Sequence, residues 1–256
     1  MILGFIGTGK ITSSVVTGIC NSKISFKKIL LSPRNRTISN KLSKKFRKVS
    51  VAKNNQEILN KSNWVFLAVT PNVGNRIIKD LKFRSNQTVI SFISTMKMVQ
   101  LKKNIKVNAK IFRAIPLPFI SLKKGPIPVF PPNKKVKEFF NKLGVTVEIH
   151  NEKLSNNFWA ISGMMAPFYE LLNVLSSWLV IKGVRRDKAQ KYITSLFLAL
   201  SEDAVLNSMK HLKFLVKESQ TKGGLNEQGL KELKKGGFYR SSQKTLNSIL
   251  QRLNKV

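Results

Sequence analysis

The amino-terminal stretch MILGFIGTGKITSSVVTGI constrains this chain more than any other part of it. Ile2, Leu3, Phe5 and Ile6 make a short apolar strand, Gly7 and Gly9 follow at once, and Ile11, Val15, Val16 and Ile19 then recur at helical spacing. A strand that turns through G-x-G into a helix aims free N–H groups and the positive helix end at the turn, and glycine lets the backbone approach a pyrophosphate. G-x-G alone is a weak signal. It gains weight from lying directly after a strand and directly before a helix. The third glycine of the dinucleotide fingerprint is missing; Thr12 stands there, and its side chain is expected to push the helix slightly off the strand. Gly7, Thr8, Gly9, Lys10 and Ile11 are the first candidate cofactor contacts.

The end of the second strand (28–31) carries the next signal, Ser32-Pro33-Arg34-Asn35-Arg36-Thr37. An acidic residue here hydrogen-bonds the ribose 2′-hydroxyl of NAD, whereas arginine accommodates the 2′-phosphate of NADP. No Asp or Glu occurs between Met1 and Asn55. Ser32, Arg34, Arg36 and Thr37 are therefore expected to bind NADPH in preference to NADH; a basic surface turn is the alternative.

Beyond this turn, strands at 49–52, 64–69, 88–93, 110–115 and 146–149 alternate with helices at 38–46, 55–60, 73–81, 96–101 and 134–143. The run WVFLAV is apolar throughout, as in a parallel strand buried on both faces. Residues 116–132 form a proline-rich passage. This alternation predicts an α/β, Rossmann-type doubly wound sheet over 1–150. After His150 no convincing strand remains, and 151–256 reads as an all-α domain. Its longest helices are expected at 168–181, stopped by Gly183, and 187–206, capped by Asp187, with further helices at 211–218, 226–235 and 239–253. Phe168, Leu171, Leu172, Leu175, Trp178, Leu179, Ile193, Phe197 and Leu200 are more apolar surface than such a layer buries on itself, so a homodimer or higher oligomer is expected.

Composition narrows the partners. Lys and Arg total 46 against 12 acidic residues, a net charge of +34. Such a charge attracts nucleic acid or anionic membranes. Here the basic residues are spread from Lys10 to Lys255 on the polar faces of amphipathic stretches, which is the pattern of a solvated surface. Neither a specific nucleic acid nor a membrane is expected as a partner. The apolar stretch 161–181 contains Glu170, Asn173 and several serines and reads as a core or interface helix. The single cysteine, Cys20, fits a reducing, cytoplasmic setting and a buried, inert thiol, and no targeting segment is visible. His150 and His211 lie too far apart to suggest metal-ligand spacing, and no metal is expected.

In order along the chain, these motifs resemble those of the pyrroline-5-carboxylate reductases. That family's G-x-G-x-M-G and following Gly-Leu are similar to Gly7-Thr8-Gly9-Lys10-Ile11 and Gly18-Ile19. Its Asn-x-Glu and Ala-Val-Lys-Pro resemble Asn55-Gln56-Glu57 and Ala68-Val69-Thr70-Pro71, which adds Asn55, Ala68, Val69 and Pro71 to the cofactor contacts. Its Arg-Ala-Met-Pro resembles Arg113-Ala114-Ile115-Pro116, and its Gly-Leu-Pro-Arg-Asp resembles Gly183-Val184-Arg185-Arg186-Asp187. Its Leu-Ser-Gly resembles Ile161-Ser162-Gly163, and its Pro-Gly-Gly-Thr-Thr resembles Lys222-Gly223-Gly224-Leu225-Asn226. The resemblance implies reduction of 1-pyrroline-5-carboxylate to proline by NAD(P)H, a helical dimerisation domain, and a substrate carboxylate held by Ser162, Gly163, Gly223, Gly224, Leu225 and Asn226; the alternatives are an NADPH-dependent reductase of a different imine and a non-catalytic, basic Rossmann-type protein that binds nucleotide or nucleic acid. Hydride transfer is the cofactor's own chemistry, and no catalytic side chain is assigned. Departures cluster at the substrate end: Met164 and Met165 replace small residues, Leu225 and Asn226 replace both threonines, and Leu117-Pro118 replaces Asn-Thr.

Overall fold

A computed structural model describes residues 1–255, in two compact units, 1–155 and 156–255. The first unit alternates β1 (Ile2–Ile6), α1 (Lys10–Cys20), β2 (Lys28–Leu31), α2 (Arg36–Lys45), β3 (Val49–Val51), α3 (Asn55–Lys61), β4 (Trp64–Leu67), α4 (Pro71–Asp80), β5 (Thr88–Ser91), α5 (Met98–Asn104) and β6 (Lys110–Ala114). It then continues with β7 (Pro126–Phe130), α6 (Lys134–Phe140) and β8 (Val145–Glu148). All eight strands form one sheet in the order β3-β2-β1-β4-β5-β6-β7-β8. The chain runs outward from β1 to β3 and returns to β4, so β1 and β4 part at the switch point where such sheets bind ligands.

Period-2 side-chain alternation divides each central strand between two cores. Leu3, Phe5, Phe66 and Ile90 enter one, while Ile6, Val65, Leu67 and Val89 enter the other. This is why WVFLAV carries no polar alternation. Phe5 stacks on Phe66 across the β1–β4 pair, with ring centroids 4.5 Å apart.

The proline-rich passage is more ordered than its composition suggests. It holds a 3-10 turn at Pro118–Leu122 and then β7, antiparallel to β6 and parallel to β8. Proline is rare inside sheets because it lacks the N–H. Pairing to β6 is restricted to Val129 and Phe130, and Pro128 contributes only its carbonyl, which accepts from Ile115 N at 3.2 Å. Two prolines therefore sit in an internal strand without breaking its ladder.

The second unit contains no strand among the described residues. Its helices are α7 (Ser155–Ser162), α8 (Met165–Ile181), α9 (Arg186–Leu206), α10 (Lys213–Glu218), α11 (Leu225–Lys235) and α12 (Phe238–Asn254). Helical periodicity does not announce α7, which is an addition to the helices expected from sequence. The expected cap also differs: Arg185 holds the N-cap position of α9, and Asp187 lies inside the first turn, where its carboxylate accepts from the Arg185 guanidinium at 2.6 Å. Asp187 thus complements the helix dipole rather than the terminal N–H groups. Of the described residues after Ser155, only Ala160, Ser176, Ala189 and Ile193 are buried. Trp178 is 58% exposed, Leu206 84% and Met209 97%. The helical run Glu152–Ile181 is long and apolar enough to cross a membrane by length and composition alone.

Candidate functional site

At the end of β1 the backbone enters Gly7 with φ +96°, a conformation that side chains resist. A Cβ there would collide with the Ala68 carbonyl oxygen and lie 2.6 Å from Val69 Cγ1. Gly9 serves a different purpose. A Cβ on Gly9 would meet nothing within 4 Å, and no side chain caps α1, whose first N–H groups have no partner within the helix. Thr12, in place of the third glycine, is fully buried, and its hydroxyl donates to the Gly7 carbonyl at 2.8 Å. The position expected to loosen the helix instead ties it to the turn.

A hydrogen-bonded chain joins the ends of the first two strands to α3. Thr8 Oγ1 donates to the Ser32 carbonyl at 2.8 Å, and Ser32 Oγ donates to Asn55 Oδ1 at 2.9 Å. Thr8 and Ser32 are 4% and 3% exposed. The Ser32 proton is therefore engaged within the protein. This makes Ser32 a group that positions the turn, in contrast to the phosphate donor its type suggested.

Past Ser32 the chain emerges to solvent. Arg34, Arg36 and Thr37 are exposed, and Asn35 caps α2 by accepting from Ile38 N at 3.2 Å. Arg36 and Thr37 open α2, whose first turn holds no acid. A cavity of about 610 Å³ lies above the β1–β4 switch point. Gly7, Thr8 and Gly9 line one side, and Ser32, Arg34, Arg36, Thr37 and Asn55 a second. Ala68 and Val69 complete the candidates it brings together. Lys10 and Ile11 form the first turn of α1 and Pro71 opens α4, outside that lining. Asn35, Thr70, Val73 and Ile77 also line it and were missed. Val73 and Ile77 stand four apart on α4, a spacing that marks one apolar helix face and was legible in the sequence. A smaller cavity of about 470 Å³ adjoins it, sharing Ser32, Arg34, Arg36 and Asn55 and adding Lys53 and Asn54.

The substrate candidates occupy two turns of the helical unit. Ser162 ends α7, and Gly163 packs so closely on α12 that a Cβ would lie 2.7 Å from Ile249 Cδ1. Gly223 and Gly224 precede α11, with Leu225 and Asn226 as its first residues. Their polar groups already have partners: Gly223 N donates to Glu227 Oε2 at 2.7 Å, and Asn226 Nδ2 donates to the Ser219 carbonyl at 2.8 Å. The Lys231 ammonium and the Gly223 N–H hold the Glu227 carboxyl below its usual range.

Arg113, prominent in the sequence motif, lies apart from the cavity. It is 3% exposed and donates to Glu152 Oε1 at 2.5 Å and to the Ser94 carbonyl at 2.6 Å. Glu152 Oε1 also accepts from Met98 N at 2.7 Å. Burial pulls the guanidinium pKa down, while the bond to Glu152 opposes the shift.

Comparison with known proteins assigns the halves separately. Residues 2–95 match the family model described as NADP oxidoreductase, coenzyme F420-dependent, and residues 152–256 match that for pyrroline-5-carboxylate reductase dimerisation. Pyrroline-5-carboxylate reductase 3 of Xenopus laevis is 25% identical over 92% of this chain and 89% of its own. The chain belongs to the pyrroline-5-carboxylate reductase family. The Synechocystis pyrroline-5-carboxylate reductase, 26% identical, covers 92% of this chain and 91% of its own. The fold is shared with the crystal structure of Plasmodium falciparum pyrroline carboxylate reductase with NADP bound, at a TM-score of 0.84 and 21% identity over 99% of this chain and 97% of that one. The chain is thus an oxidoreductase of this family, with a Rossmann-like sheet and a helical region that matches the family's dimerisation domain. The cavity suits a dinucleotide on its own features: an open Gly9 beside an uncapped helix start, apolar walls from Val73 and Ile77, and a rim of two arginines.

Proposed function

We propose that this protein uses NADPH, in preference to NADH, to reduce 1-pyrroline-5-carboxylate to proline in the cytoplasm. The observation that carries the reading is the rim of the switch-point cavity, where Arg34 and Arg36 stand and no carboxylate lines the wall. Bound there, the cofactor supplies hydride to the imine carbon. Gly7, Gly9 and the start of α1 would hold the pyrophosphate. Arg34, Arg36 and the free N–H groups opening α2 would hold the 2′-phosphate, and Asn55, set by Ser32, would face the ribose. Residues 1–150 serve as the dinucleotide-binding domain, and 151–256 serve dimerisation and substrate binding. The apolar helix faces are read as the surface that meets a second copy rather than a membrane, because the dimerisation match spans the whole Glu152–Ile181 run. The dispersed positive charge is read as a solvated surface without a nucleic-acid partner.

The test is Arg34→Ala with Arg36→Ala, titrated with both cofactors at fixed ionic strength. A charge-assisted hydrogen bond contributes about 1.5–3 kcal/mol, so losing one arginine should weaken NADPH about ten- to a hundredfold and leave NADH nearly unchanged. Equal losses would reduce the arginines to general attraction by the +34 charge.

A second reading is reduction of a different imine, favoured by one feature. The Gly223 N–H and the Asn226 amide, the groups proposed to receive a substrate carboxylate, are already bonded to Glu227 and Ser219. Turnover of a bulkier or six-membered cyclic imine, with none of pyrroline-5-carboxylate, would select that reading.

A further inference from the structure

We infer that Lys53, at the end of β3, is a third cation for the cofactor's 2′-phosphate and a determinant of NADPH selectivity; this rests on the NADPH reading above. Strand register places it there. β2 and β3 are parallel with Leu31 opposite Val51, and Ala52 N donates to the Leu31 carbonyl at 2.9 Å. Ser32-Pro33-Arg34 and Ala52-Lys53-Asn54 therefore leave the sheet side by side from the same edge.

Between them lies the cavity of about 470 Å³, lined by Arg34, Arg36 and Lys53. None of these three forms a salt bridge among the described residues. Glu57, the acid closest to Lys53 in sequence, accepts from the Lys53 backbone N–H at 2.7 Å and from Lys61 Nζ at 2.6 Å; the Lys53 charge adds to that of Lys61 in holding the Glu57 carboxyl low, but Lys53 forms no ion pair with it. The backbone bond fixes the main chain of Lys53, and Asn54 is fixed as the cap of α3 by accepting from Glu57 N at 2.9 Å. Three like charges around one space repel each other until an anion fills it. A phosphate monoester, with nearly two negative charges, is the group of matching size and charge. The position also separates it from the pyrophosphate, because Gly7 and Gly9 line only the larger cavity.

Lys53→Gln, Lys53→Arg and the exposed control Lys41→Gln on α2 would be made in the full chain and titrated with NADPH, NADH, 2′,5′-ADP and 5′-AMP at one ionic strength. Lys53→Gln should weaken NADPH and 2′,5′-ADP about tenfold and leave NADH and 5′-AMP within about twofold. Lys53→Arg should keep most of the NADPH affinity, and Lys41→Gln should change all four ligands little and alike. Equal loss of NADPH and NADH, or a loss no larger than that of Lys41→Gln, overturns the role of Lys53. If Arg34→Ala and Arg36→Ala still lose NADPH selectively in that case, the NADPH reading survives. A wild type that binds NADH as tightly as NADPH, and 5′-AMP as tightly as 2′,5′-ADP, overturns both.

Discussion

Two glycines two residues apart have opposite reasons to be glycine, and substitution separates them. Gly7→Ala forces a methyl group into the Ala68 carbonyl at φ +96° and should cost about 3 kcal/mol or more, read as a lowered urea midpoint. Gly9→Ala meets no atom within 4 Å and should cost the fold about 1 kcal/mol or less. Yet it should weaken cofactor binding at least about tenfold, since the methyl projects where the phosphates need to approach the backbone. Equal effects of the two changes on stability would show that the turn is less tight than it looks. Cys20 offers a second test. Burial pushes its thiol up to about 11 despite nearby Lys48, so the thiol stays protonated and slow to alkylate in the folded protein at neutral pH. Between about pH 9 and 11 an unfolded thiol ionises while the folded one keeps its proton. Stability should therefore fall as pH rises through that window, and Cys20→Ser should flatten this part of the profile. Rapid alkylation of native protein at pH 8 would contradict the assignment.

At the level of elements, the Arg113–Glu152 pair binds β6, the start of α5 and the 3-10 turn Glu152–Leu154 together through Ser94 and Met98. Glu152→Ala leaves the Arg113 charge buried without its carboxylate and deprives Met98 N of its acceptor. The expected cost is about 3 kcal/mol in urea unfolding. Replacing both partners with methionine removes the charges together and should cost clearly less, so a double variant as unstable as Glu152→Ala would deny the pair its role. The same motif shows why residue type alone misleads. Arg113-Ala114-Ile115-Pro116 stands out in the sequence like a site, but its arginine faces inward. Lys53 belongs to no motif, and strand register alone places it at the cavity rim.

For the whole molecule, the second unit is the deciding feature. Its six helices leave Trp178, Leu198, Leu200, Val205 and Leu206 more than half exposed. Apolar surface on that scale marks a partner surface, and the dimerisation match covers this region. Sedimentation at micromolar concentration should show a dimer or larger assembly, and Trp178→Glu should weaken association about thirtyfold or more if the indole is an anchor of the interface. A stable wild-type monomer would refute this.

What the sequence determined by itself is local. Hydrophobic period announced the sheet except β7 and the helices except α7. Gly7 and Gly9 between strand and helix announced the turn, and missing acids with two arginines after β2 announced the character of its rim. These features depend on neighbours within a few residues, which a single chain displays directly. Tertiary structure decided whatever depends on partners far along the chain. It admitted Pro126 and Pro128 to an internal strand because β6 pairs only with the residues after them. It turned Thr12 into a tie and withdrew the Ser32 proton into a bond with Asn55, 23 residues away. It also brought Lys53 beside Arg34, because two parallel strands end at the same edge. Hydrogen-bond partners and cavity walls are set by packing across the sheet, and that packing is not encoded in residue type or spacing alone.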